Sequence, residues 1–367
     1  MSKSNPPSDA QVYHLSESHS GLTLAGALKQ LNDGASWNDV KKWISSRRVQ
    51  VNGNLSLDEA RRVSASDVVK LFQRPLPRPV SQEDVRFVHI DEHLIVVEKP
   101  AGVTSVRHAA ERTLSTRRRQ LQPTLEELIP PALAKRLHLR WPPLPPKGMN
   151  RGKFRTNQRR RHSPNLAIQN AKKLPPELQI FPVHRLDRDT SGLMLFARTR
   201  ETEQKLTSMF KRHTVQREYT AICIGDMTPQ TIHTQLVRDR GDGLRGSVAG
   251  AAGETIQASA VDAITHIVSV EPVGKREPCA YSRIRCKLET GRTHQIRIHL
   301  AESGHPLCGE KTYRRQLDGT TLPDRSGAPR QALHSDCLEF THPVTGKHLR
   351  FTMELPKDLA VWLKTLE

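Results

Sequence analysis

The 367 residues are 36% hydrophobic and 26% charged, with 57 Lys+Arg against 38 Asp+Glu and a formal net charge of +19. That composition fits a folded, water-soluble chain long enough for two domains, and excludes a chain disordered throughout. No apolar run reaches the roughly 20 residues that span a bilayer, and Met1–Ser20 lacks an apolar core, so neither a membrane span nor a secretory signal is expected.

The charge is concentrated. Residues 107–173 carry 17 basic and 3 acidic residues, whereas 1–106 carry 13 and 12. A cationic stretch of that density suits a polyanion, nucleic acid being the commonest, or else is a solvated insertion. The cysteines (Cys223, Cys279, Cys286, Cys308, Cys337) are odd in number and never spaced CxxC, which points to reduced thiols in the cytoplasm rather than to zinc or disulfides. The histidines form no HExxH, so no metal site is expected.

In chain order, residues 1–20 read as a flexible tail. Leu24, Ala27, Leu28 and Leu31 recur at helical spacing, and Asp33-Gly34 ends that helix. Ser36 with Asp39 forms a capping-box pattern before a second helix whose apolar face is Trp37, Val40 and Ile44. Lys41, Lys42, Arg47 and Arg48 should be exposed on it. Val49–Val51 enters an Asn52-Gly53 turn, and Asp67–Phe72 is a further strand. The Pro-rich run 74–79 is a stiff linker, and a domain boundary is expected over 76–84.

Beyond the linker, 86–90 and 94–97 read as strands, the second apolar throughout and therefore central. Leu125–Leu139 looks helical. The clusters Arg117–Arg119 and Arg159–Arg161 and the eight prolines of 107–173 mark a functional or disordered loop, taken as an insertion over about 132–177. Gly192–Ala197 is a buried strand. Leu206, Met209 and Phe210 mark a helix, and 218–225, 234–240, 256–270, 280–289 and 348–355 are strand-like. Strands outnumber helices without βαβ alternation, which is the α+β class with a large mixed, mainly antiparallel sheet.

Two segments carry candidate chemistry. His184-Arg185-Leu186-Asp187-Arg188-Asp189-Thr190-Ser191 is a charged loop running straight into the buried strand, which would present a carboxylate at a sheet edge. Ser191 lacks a G-x-S-x-G elbow and is not expected to be a nucleophile. In Thr290–Leu300 polar and apolar residues alternate, so Arg297 and His299 are expected on one face of a strand.

Residues 20–75, with "VKKWISSRRVQVNG" followed by "RRVSASDVVKL", resemble the S4 RNA-binding domain. "LIVVEKPAG", "HRLDRDTSGLMLFART", "REYTAICIG", "TGRTHQIRIHLAESGHPLCGEKTY" and "LHSDCLEFTHPVTGKHLRFTMELP", in this order, resemble the RluA-type pseudouridine synthases over about 85–106 and 180–365. The resemblance implies the pseudouridine synthase fold over 85–367. It implies isomerisation of uridine in RNA, with ribosomal RNA favoured over transfer RNA. Asp187 would be the catalytic carboxylate, Arg297 its basic partner, and Tyr219 the ring against the flipped uracil. Arg185 and Arg292, with Lys41, Lys42, Arg47 and Arg48, would contact RNA, and His184 would shape the loop. No cofactor or metal is implied, and a monomer is expected. A silent RNA-binding protein on the same fold is the alternative.

Overall fold

The computed structural model describes residues 10–52, 54–76, 80–107, 123–143, 174–250, 260–274, 281–317 and 319–366. The arginine clusters at 117–119 and 159–161, Gly53, Cys279 and most of the expected insertion lie outside them. The chain forms two compact units, one of residues up to Ser81 and one from Gln82 on, with Pro123 grouped with the first.

The first unit is a four-stranded antiparallel sheet of β1 (Ala10–His14), β2 (Val49–Val51), β3 (Asn54–Leu55) and β4 (Val68–Phe72), in the order β1-β4-β2-β3. Helices α1 (Leu24–Leu31) and α2 (Trp37–Ser45) bury Leu24, Leu28, Val40 and Ile44 against Val49, Val51 and Val69. The Ser36/Asp39 capping box closes the start of α2, with the Asp39 amide donating to Ser36 Oγ at 3.1 Å.

Three expectations for this unit need correction. The expected tail contains β1, which pairs with β4 from Ala10 to His14. It carries little pattern because it is an edge strand with little buried surface. Trp37 is 53% exposed rather than packed, since it opens α2 beyond the reach of the core. Arg47 and Arg48 are half-buried, and their Nε atoms donate to the carbonyls of Leu76 and Phe72 at 3.0 and 2.6 Å, so backbone acceptors draw them inward. Lys41 and Lys42 are exposed.

The second unit is built on an eleven-stranded mixed sheet. Its strands are β5 (Arg86–Ile90), β6 (Leu94–Lys99), β7 (Phe181–Pro182), β8 (Ser191–Ala197), β9 (Gln216–Ile224), β10 (Gln230–Val237), β11 (Gly246–Ser247), β12 (Val261–Val273), β13 (Tyr281–Leu288), β14 (Leu333–Thr341) and β15 (His348–Thr352). The order is β11-β10-β12-β13-β9-β14-β8-β6-β5, with β15 on β14 and β7 on β8. Among the described residues, only β14 and β8 pair in parallel. β8 is buried along its whole length, which explains its unbroken apolar run. Helix α4 (Arg200–Lys211) packs Leu206 and Met209 on Leu193 and Leu195. Helices α3 (Leu125–Arg136), α5 (Gln295–Glu302) and α6 (Lys357–Leu363) complete the described set.

Two further corrections fall here. Residues 295–302 form α5, not a strand. Alternation signals a strand only when one face meets water, and Gln295–Ala301 are buried all round. The expected insertion begins too early, because α3 runs to Arg136 with Ala132, Leu133 and Ala134 buried. The helix expected over Leu125–Leu139 is present, and the expected insertion boundary falls inside it. Among the described residues, no helix is long and apolar enough to cross a membrane.

Candidate active site

The loop 184–190 enters β8 at the parallel joint, where Ser191 faces His334 and Gly192 faces Ser335. Gly192 has φ +131°, and a Cβ there would lie 2.2 Å from the Ser335 carbonyl oxygen, so only glycine lets β14 approach this closely.

The segment after β6 holds the loop from the other side. Lys99, fully buried, donates from Nζ to the carbonyls of Thr190, Arg188 and Pro100 at 2.6, 2.9 and 3.1 Å. Burial pushes its ammonium down to about 7, against the pull of Asp189 and Asp187. Ser105 Oγ donates to the Leu186 carbonyl at 2.6 Å and accepts from the Leu186 amide at 3.1 Å. The Gly102 amide donates to the Arg188 carbonyl at 2.8 Å. Between these bonds Asp187 is carried on a fixed backbone. His184 stacks on Phe210 with ring centroids 4.9 Å apart, and its Nε2 accepts from the Leu195 amide at 2.9 Å. Burial pushes it down to about 3, so this histidine is neutral.

Asp187 accepts from Arg297 Nη1 at 3.0 Å. The rest of the guanidinium is held by Glu310, with Nε at 2.7 Å and Nη2 at 2.8 Å from its two oxygens. Glu310 also accepts from the amides of Lys311, Thr312 and Tyr313. Burial works to raise its carboxyl, but the hydrogen bonds and charge of Arg297 outweigh burial and hold it below the usual range. Burial likewise opposes the Arg297 charge, and Glu310 with Asp187 reverses that and raises it. His294, at φ +62° before α5, places Nε2 3.7 Å from Asp187 and shares a 2.7 Å hydrogen bond through Nδ1 with the Tyr313 hydroxyl. Burial above all lowers His294, so the imidazole is neutral near pH 7.

Asp187 opens into a cleft of about 410 Å³. Tyr219 lines it from β9, directly across from Ser335 and Cys286. Burial raises the Tyr219 hydroxyl above its ordinary value, with Arg217 opposing, so the phenol stays protonated. The geometry therefore offers an ionisable carboxylate with one forked cation, a neutral aromatic wall and a polar mouth.

Residues 93–302 match the family described as RNA pseudouridylate synthase. The chain belongs to this family. Over 358 residues it is 31% identical to the ribosomal large subunit pseudouridine synthase D of Zymomonas mobilis subsp. mobilis, covering 96% of each. A protein of the same name from Neisseria meningitidis serogroup A is 38% identical over 200 residues, 52% of this chain and 50% of that protein. The chain thus aligns with only half the length of the Neisseria relative. Two solved structures share the fold: human RNA pseudouridylate synthase domain containing 4, at TM-score 0.50 and 18% identity over 77% of this chain and 92% of that one, and human RNA pseudouridylate synthase domain containing 1, at 0.50 and 19% over 78% and 90%. The α+β pseudouridine synthase fold expected from the sequence is the fold found.

Of the residues expected at the pseudouridine synthase site, Asp187, Tyr219, Arg297, Arg185 and Arg292 line the one cleft. Arg185 and Arg292 are exposed at it, Arg292 donating from Nε to the Asp262 carbonyl at 2.8 Å. Lys41, Lys42, Arg47 and Arg48 belong to the first unit and are not lining residues. Sequence reasoning gave no role to Lys99, Arg217, His294, Glu310 or Tyr313. Arg217 was the most accessible of these, because it precedes Tyr219 by two residues on a strand and so shares its face. The Glu310 to Arg297 pairing has no local signal.

Proposed function

We propose that this cleft isomerises uridine to pseudouridine in large-subunit ribosomal RNA. The observation that carries the reading is the Asp187 carboxylate held by one nitrogen of Arg297 at 3.0 Å, in a cleft walled by Tyr219. In the reaction the N1–C1′ bond breaks, the uracil turns, and C5 bonds to C1′. N1 gains a proton and C5 loses one, so nothing is oxidised or reduced. Asp187 serves either route to cleavage, by attack on C1′ or by removal of the 2′ proton. Both use its carboxylate, which stands 3.0 Å from the Arg297 guanidinium. The Tyr219 ring faces the uracil, and its protonated hydroxyl suits it to packing and donation rather than to taking the C5 proton. A base within a stem cannot reach Asp187, so the uridine is flipped out or already unpaired. Arg185 and Arg292 at the mouth meet the flanking backbone.

The names of the relatives support the ribosomal target over transfer RNA. The first unit acts as an S4-like RNA-binding module, with exposed Lys41 and Lys42 toward RNA. The protein works in the cytoplasm as a monomer, without a cofactor. The test is tritium release from C5-labelled, unmodified large-subunit ribosomal RNA. Wild type should release tritium, and Asp187→Asn should release none while binding the RNA equally well. Release by Asp187→Asn at the wild-type rate overturns the assignment.

A further inference from the structure

Arg217 is 7% exposed and lines the cleft, yet its guanidinium meets no carboxylate among the described residues. Its Nε has no hydrogen-bond partner, and Nη2 reaches only the Glu289 carbonyl at 3.3 Å. The group is nonetheless fixed in place. It lies 5.5 Å from the centre of the Phe210 ring, the same ring on which His184 stacks. Gly291 leaves the space it occupies, since a Cβ at that position would lie 2.5 Å from Arg217 Nη1. An unpaired buried cation is costly, and a native fold that keeps one rigidly placed beside a cleft has an anionic visitor to match.

The cleft lining repeats the imbalance. Arg185, Lys211, Arg217, Arg292 and Arg297 all line it, against the single carboxylate of Asp187, which Arg297 already engages. Lys211 is an exposed residue of the lining. Uracil and ribose are neutral, and the only anionic group of a ribonucleotide within RNA is its phosphodiester. Arg217 and Tyr219 project from one face of β9, about 7 Å apart along the strand. A uracil against Tyr219 therefore leaves its own phosphate to reach Arg217. The guanidinium is a planar donor with fixed directions, which suits a phosphate oxygen as a lysine would not; Nε is buried, so the Nη atoms are the ones that can face the cleft.

We infer that Arg217 is a phosphate-binding residue that seats the phosphodiester of the flipped nucleotide, with Lys211 as an exposed cation of the same lining. This rests on the RNA-modifying reading above and adds a subsite to it. The site aligns the sugar over Asp187 by holding the backbone, so its loss should weaken capture more than chemistry.

The test uses the full chain in two parallel measurements. In the first, tritium release from unmodified large-subunit ribosomal RNA is followed for wild type, Arg217→Lys and Arg217→Gln at several salt concentrations. Arg217→Gln should raise KM about tenfold with a smaller change in kcat. It should also flatten the slope of log affinity against log salt by about 0.7, the contribution of one phosphate on a single strand. Arg217→Lys should keep the slope and recover part of KM. In the second, uridine 3′,5′-bisphosphate and uridine are titrated against each protein. Wild type should prefer the bisphosphate, and Arg217→Gln should lose that preference. An unchanged KM and slope, or the same preference in Arg217→Gln as in wild type, overturns the inference. Absence of tritium release by wild type overturns the isomerase reading instead, and the bisphosphate titration then still decides Arg217.

Discussion

Glu310 grips Arg297 with both oxygens, at 2.7 and 2.8 Å, and leaves Nη1 alone to face Asp187. The bidentate grip fixes the guanidinium plane, and three backbone amides fix the grip. Asp187 thus has a cation at hydrogen-bond distance, bound through a single hydrogen bond. That leaves oxygen lone pairs free for chemistry.

Glu310→Gln should expose this arrangement. The amide presents one acceptor instead of two and no charge, so Arg297 turns toward its remaining carboxylate. We expect kcat in the tritium-release assay to fall about 10- to 100-fold with RNA affinity unchanged. Breaking a buried pair should also cost about 3 kcal/mol, read as a lower melting temperature. A folded variant with wild-type kcat would show that Arg297 needs no second partner.

The legibility of this site follows its local sequence signals. Asp187 stands in a charged loop abutting an apolar strand, a local signal, whereas Tyr219 is named only through the resemblance to the pseudouridine synthases, since β9 is buried along most of its length and gives no such signal. Arg297 was readable as a residue but not in its setting, because an entirely buried helix has no polar face to give it a period. Glu310 and Lys99 lie 13 residues after Arg297 and 91 before Thr190 along the chain, so only the folded sheet brings them to their partners. The edge strand β1 escaped for a different reason. It buries little and is specified by backbone pairing to β4, which leaves no hydrophobic pattern.

Lys99 gives the loop its second prediction. Lys99→Met keeps the apolar stem and removes the ammonium, leaving the carbonyls of Arg188 and Thr190 without this donor. The Arg188 carbonyl keeps the Gly102 amide, so the loss falls mainly on the Thr190 carbonyl, and at about 1–3 kcal/mol for one such group a loss of about 2 kcal/mol in denaturant unfolding is expected. Because both carbonyls belong to the Asp187 loop, kcat should fall while RNA binding holds. Equal stability of variant and wild type would mean that the burial cost of the charge cancels its bonds.

Gly192 and Gly102 both have positive φ, at +131° and +82°, but differ in surroundings. At Gly192 a Cβ meets the Ser335 backbone at 2.2 and 2.6 Å, whereas at Gly102 nothing lies within 4 Å. Gly102→Ala should cost only left-handed strain, about 1 kcal/mol. Gly192→Ala adds a backbone clash at the parallel joint and should cost on the order of 4 kcal/mol. Similar melting temperatures for the two variants would mean that β8 and β14 can part without harm.

The last prediction concerns acid. His299 is 1% exposed on α5, and its ring nitrogens bond Thr265 Oγ1 and Thr234 Oγ1, each at 2.9 Å. Burial, with a smaller push from His233, lowers it to about 4. In the unfolded chain it titrates near 6.5. Between those values the unfolded state binds the proton and the folded state does not, so stability rises with pH across this window. The contribution is full above about 6.5 and is lost as pH falls toward 4, amounting to about 3 kcal/mol. Melting temperature should therefore drop on acidification from pH 6.5 to 4. In His299→Gln, which cannot take up the proton, the drop should be shallower. A variant that tracks the wild-type curve point for point would place the acid-labile group elsewhere.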